Sequence, residues 1–224
     1  MPTSISGPPS PSDSGLVLSY LTLRKAVGII GIALPFVLAF GKILLQGWGL
    51  EGSISYYYYT DLRGVFVGSL WAIGVFLLST RGYDGHDTIA GRLACGFAIG
   101  VALFPTSPWP DPTRQEKVIG DVHWTFAALL FLTLAYFCLV LFVKTSHKEP
   151  TPQKLKRNRV YRASGWIIVV SILLVPVTQI SAVNALVGGL RPIFWLESIA
   201  VEAFGVAWLT KGEAILKDQE DQGS

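Results

Sequence analysis

Residues 51–70 read EGSISYYYYTDLRGVFVGSL. Two serines, four consecutive tyrosines, an Asp and an Arg give way abruptly to an apolar run. Tyrosine is enriched where a chain meets the membrane–water interface, because its ring is apolar and its hydroxyl is not. The stretch therefore predicts a surface loop with its rings at headgroup depth, followed by a helix that enters a bilayer.

The flanking sequence extends that reading. On the N-terminal side Ala26–Leu45 is apolar for about twenty residues, enough to cross a hydrocarbon core of roughly 30 Å. Pro35 sits inside this run, and Lys42 near its end can snorkel to the interface. On the C-terminal side five more apolar runs follow: Gly64–Thr80, Ile89–Phe104, Asp121–Val143, Ala163–Ala185 and Pro192–Thr210. The second and third carry Gly68, Ser69, Ala72, Gly74, Gly91, Gly96 and Gly100, small residues that let helix backbones approach closely in lipid. Pro192 suits the first turn of the last helix. The prolines of Pro105–Gly120 predict a loop there.

The fold class predicted is all-α: a polytopic membrane bundle of six transmembrane helices. It occupies residues 16–212, after a Ser/Pro/Gly-rich disordered tail over 1–15 and before a charged tail over 213–224. Composition agrees. Charged residues make up 15% of the 224, against about 25% in a soluble domain. Net charge is +3, and no nucleic-acid partner is expected. Cys95 and Cys138 lie in apolar runs and imply no disulfide framework.

Charge distribution sets the orientation. Arg24, Lys25, Arg81, Arg92, Lys211, Lys217 and the basic segment Lys144–Arg162 fall on the side of the termini. Only Lys42, Arg63, Arg114, Lys117 and Arg191 fall on the other. The positive-inside rule then predicts cytoplasmic termini and an outer face built from the Tyr-rich loop, the Pro-rich loop and the turn before Pro192. The basic segment is expected to meet anionic lipid headgroups.

Candidate site residues cluster where the second, fourth and sixth runs begin. They are Ser53, Ser55, Tyr56, Arg63, Asp121, His123, Arg191, Glu197 and Glu202. Ionisable residues inside a span are costly and usually face the bundle interior or a partner. The reading pairs Glu197 with His123 or Arg191 and leaves Glu202 deeper. One outcome is a pocket for a lipid headgroup; the other is a polar cluster that pins helices together. On the opposite side Asp84, His86 and Asp87 crowd a short turn, which is read as solvated. One histidine near a span does not make a haem site. P-loop and dinucleotide signatures are missing, so no cofactor or metal is expected.

Gly52-Ser53-Ile54-Ser55 in the first outer loop and His123-Trp124-Thr125-Phe126-Ala127-Ala128 opening the fourth run carry a family resemblance. In this order, with a Glu in the sixth run, the chain resembles the Frag1/DRAM/Sfk1 superfamily of six-span membrane proteins. Gly52 stands where that family has proline. It is also similar in style to bacterial membrane proteins of the DUF998 group. Eukaryotic members of the superfamily are tied to lipid remodelling, autophagy regulation and membrane lipid organisation. The expected location is a bacterial inner membrane, and the function read from the candidate residues is binding or organising membrane lipids through an outer-face pocket. The alternatives are an intramembrane lipid hydrolase or transferase using His123 with an acidic partner, and a structural or accessory membrane subunit.

Overall fold

A computed structural model describes residues 11–79, 85–145 and 151–216, with side chains from Leu21 onward. Among the described residues there are seven α-helices: α1 (Pro11–Gln46), α2 (Arg63–Leu78), α3 (Gly85–Leu103), α4 (Arg114–Tyr136), α5 (Pro152–Thr178), α6 (Ser181–Val187) and α7 (Pro192–Lys211). A single π turn, Phe137–Leu141, continues α4, and short 3₁₀ turns cover Ser55–Tyr59 and Gly188–Leu190. No strand occurs among the described residues.

Among the described residues four helical segments are long and apolar enough to cross a membrane: Leu21–Gln46, Arg114–Leu141, Pro152–Thr178 and Pro192–Lys211. The other two expected runs fall short for separate reasons. Helix α2 has 16 residues. Helix α3 is diluted by His86, Asp87 and Arg92.

Several boundaries move for local reasons. The loop expected over Pro105–Gly120 ends early, because Thr113 and Glu116 form a reciprocal capping box that starts α4 at Arg114. The fifth run, expected at Ala163–Ala185, begins eleven residues earlier as α5, so the second half of the basic segment is helical. Thr151 caps Lys154 N at 3.1 Å, and Pro152 takes the first helical position, where its missing N–H costs nothing. That helix stops at Thr178, and α6 is a separate short helix. Pro192 opens α7 as expected. The tail boundary expected at Gly15 falls inside α1, and residues 1–10, Arg81, Asp84, Lys148 and 217–224 lie outside the described residues.

The six longer helices form a closed ring in chain order, each packed on the next, with α7 returning between α5 and α1. The core inside the ring holds Leu38, Tyr57, Phe66, Leu77, Phe137, Ile168, Phe204 and Trp208, all at most 2% exposed. The outside is apolar as well: Phe40, Trp166, Leu173 and Ile29 are all more than half exposed. A surface of that kind suits hydrocarbon rather than water.

Because the helices alternate in direction, three connections meet at one end, here called the loop end: 47–62, 104–113 and 179–191. At the opposite end Lys211 comes within electrostatic reach of Arg24, Lys154, Arg157 and Asp87, with its Nζ 5.5 Å over the Phe142 ring.

Candidate functional site

The Tyr-rich stretch winds into a 3₁₀ turn, with about three residues per turn, so its four rings leave in different directions. Tyr57 points inward, fully buried against Phe194. Tyr58 and Arg63 hold each other by a hydrogen bond and by stacking, the guanidinium 3.9 Å from the ring centre. Tyr59 donates its hydroxyl to Thr106 O at 2.6 Å, and Tyr56 OH accepts from Trp109 N at 2.8 Å. Two of the four tyrosines thus lash the first loop to the second.

Glu197 anchors the turn from below. Its Oε2 accepts the backbone N–H of Ile54 at 2.7 Å and of Ser55 at 3.4 Å. Ser53 Oγ accepts Tyr56 N at 3.0 Å, completing the turn locally. The loop repays α7 in kind: Gly52 O accepts the N–H of Phe194, one of the first-turn donors that a helix cannot satisfy itself. At the rim Lys42 pairs with Glu51 at 3.3 Å.

The pairing of Glu197 with His123 or Arg191 is not formed. His123 is buried on α4 with Nδ1 2.6 Å from Phe104 O, which ties α4 to the end of α3. The loop amides of Ile54 and Ser55 offer Glu197 donors that lie closer in the folded ring, and they take its carboxylate. Arg191 lies at the loop end, exposed, with a left-handed backbone (φ 55°) directly before Pro192. Asp121 is exposed, its carbonyl accepting Thr125 Oγ1 at 2.9 Å. Glu202 is half-buried and makes no hydrogen bond or ion pair among the described residues. No group of three His, Cys, Asp or Glu residues among the described residues is arranged to hold a metal. Among the described residues neither the Ser53 nor the Ser55 hydroxyl hydrogen-bonds to a His, Asp or Glu; Glu197 meets Ser55 through its backbone N–H.

Two cavities adjoin these residues. A polar one of about 370 Å³ opens at the loop end and is lined by Glu51, Tyr56, Trp109, Thr178, Gln179, Asn184, Arg191 and Ile193. An apolar one of about 530 Å³ lies between α4, α5 and α7, lined by Trp124, Ala128, Phe131, Ile172, Val175, Leu196 and Glu197, among others. A third space of about 50 Å³, inside the ring, also touches Ser55 and Glu197. Of the residues picked from the sequence, Tyr56 and Arg191 line the polar cavity and Glu197 the apolar one. Ser53, Arg63, Asp121, His123 and Glu202 line none of the three. Trp109, Gln179, Asn184 and Leu196 carry no sequence signal; only the meeting of loops and helices brings them to a cavity.

Fold and cavities together define a chain that is all-helical among the described residues, with four helices long and apolar enough to cross a membrane, two hydrogen-bonded loops at one end and a third connection beside them lining the same cavity. Compared with protein-family models, curated proteins and solved structures, the sequence and fold give no match.

Proposed function

We propose that the protein is a six-span membrane protein that binds an amphiphile along the seam between α5 and α7, headgroup at the loop end and acyl chain beneath it. One observation carries this reading. The polar and apolar cavities follow one another on the same pair of helices. Thr178, Gln179, Pro192 and Ile193 line the first, and about one turn further in Val175, Pro176, Leu196 and Glu197 line the second. A polar recess above an apolar cleft matches a lipid's own division into head and tail. Arg191 and Asn184 supply donors for a phosphate or hydroxyl headgroup, and Tyr56 and Trp109 form the rim.

In this reading His123 and Glu197 are ties that hold the ends of helices and loops in place, and the ligand is bound rather than cleaved. The resemblance carried by the Ser53–Ser55 loop and the His123 helix start belongs to the same proposal. So does the orientation, with the loop end outside and the basic start of α5 inside, where exposed Lys156, Arg159 and Arg162 meet anionic headgroups.

Native mass spectrometry of the gently purified protein tests the binding. Wild type is expected to retain a defined lipid. Arg191→Ala, in the polar cavity, and Ala128→Phe, in the apolar one, should each lose most of it. Wild type without lipid, or lipid retained equally by all three, would remove the reading. A cysteine replacing Trp48, which is 92% exposed, should react with an impermeant thiol reagent on intact cells, and one replacing Lys156 should not. The opposite pattern inverts the orientation.

A further inference from the structure

Glu202 lies midway along α7, about 15 Å from either end at 1.5 Å per residue. A glutamate side chain is too short to reach an interface from there. The position falls on one helical stripe with Trp195 and Ile199, which are 51% and 46% exposed, and with Val206, which is half-buried. That stripe points out of the ring. The α1 flank of α7 runs through Val201, Gly205 and Leu209, and the α5 flank through Leu196 and Ala200. No hydrogen bond or ion pair reaches Glu202 among the described residues, unlike Glu197 five positions earlier. The other charged side chain on α7, Lys211, stands at its far end.

A carboxyl group at mid-membrane depth without a hydrogen-bonding partner is costly, and hydrocarbon tails offer it none. Among the described residues nothing supplies that partner, and a second chain can. We infer that the outward face of α7 is where two copies of this chain pair side by side, with Glu202 hydrogen-bonded to Glu202 of the second copy. A two-fold axis along the membrane normal brings each residue opposite itself at equal depth. A neutral carboxyl group is both donor and acceptor, so at this one position the face is complementary to its own copy. Ile199 and Val206, a turn to either side, pack against their counterparts. The amphiphile cleft opens on the other flank of α7 and stays free in such a pair.

The test uses the full chain in native membranes, with both buried cysteines replaced by serine. A cysteine at Ile199 leaves Glu202 in place and reports whether the faces meet. Oxidation is expected to give a disulfide-linked dimer in high yield. Glu202→Gln should keep that yield, because a carboxamide also donates and accepts. Glu202→Leu should lower it at least five-fold while the chain still elutes as folded protein. A monomeric mass in lipid nanodiscs with no cross-link would overturn the inference. Equal cross-linking in Glu202→Leu would overturn it too, as would co-purification of a different protein whose cross-link to position 199 replaces the dimer. Lipid retention in Glu202→Leu is expected to match wild type, so failure of the pairing and failure of the lipid reading give different results.

Discussion

Helix α7 meets its neighbours differently on its two flanks. Against α1 it comes in backbone to backbone. A Cβ added at Gly205 would lie 2.7 Å from Ile32 Cγ1 and 2.8 Å from Gly28 O, and one at Gly28 would lie 2.6 Å from Leu209 Cγ. Against α5 and α4 the same helix leaves an apolar space of about 530 Å³. Glycine explains the first flank, since only a residue without a side chain permits that approach. On the second flank α7 packs along α5 as extensively as along α1, and the gap opens toward α4, lined by Leu196, Val175 and Phe131. The contacts with α1 and α5 together set where α7 stands, and the gap toward α4 is then available for a ligand.

The sharpest way to break this contrast is to put a side chain on the closed flank. Gly205→Leu should destabilise the protein by about 3 kcal/mol, because the overlap is with backbone as well as side chain. Equilibrium unfolding in mild detergent measures it. Next in size is the tie between α7 and the first loop. Glu197→Leu leaves the N–H groups of Ile54 and Ser55 without their acceptor and should cost about 2 kcal/mol. Glu197→Gln should cost less, since its carbonyl oxygen still accepts.

Tyr59→Phe removes one loop-to-loop hydrogen bond and should cost about 1 kcal/mol by the same measurement. Burial raises the hydroxyl pKa of Tyr57 and of Tyr59, and for Tyr59 the charge of Glu116 adds to it. Both groups therefore ionise later in the folded protein than in the unfolded chain, where tyrosine titrates near about 10. Their contribution is complete below that pH and is lost as pH rises through the folded values. Unfolding midpoints measured from pH 8 to 11 should fall at the alkaline end, and less so in Tyr59→Phe. The smallest effect belongs to the open flank. Ala128→Phe should change stability by no more than about 0.5 kcal/mol while abolishing lipid retention. Destabilisation as large as that of Gly205→Leu would mean the two flanks are equally packed.

Much of the fold was legible in the sequence because hydrophobic length is a local property. The six apolar runs correspond to the six helices of the ring, and the Tyr-rich stretch is the loop that the second loop and α7 hold. The boundaries were less legible. The sequence reading looked for charge and proline, whereas α4 and α5 start where Thr113 and Thr151 can cap them. Gly68 and Gly96, read as close-packing residues, face open space, whereas Gly74 packs on Cys95 and Ala98 and a Cβ at Gly100 would collide with the Phe126 ring; the backbone approach of α1 and α7 at Gly28 and Gly205 was not singled out. No local pattern separates these cases, since each is a glycine in an apolar run.

The site divides in the same way. By itself the sequence determined that His123, Arg191 and Glu197 would be costly or exposed polar groups near the ends of apolar runs and that Glu202 would be a costly one deeper within, because cost follows from residue type and depth. Only the tertiary structure decided what each one meets. Closing the ring in chain order puts α7 against α1, so the Tyr-rich loop reaches Glu197 before His123 can. It turns Glu202 outward, and it leaves a polar recess above an apolar cleft on the α5 side. Those outcomes depend on which helices become neighbours, and neighbours are fixed by packing among residues far apart in the chain.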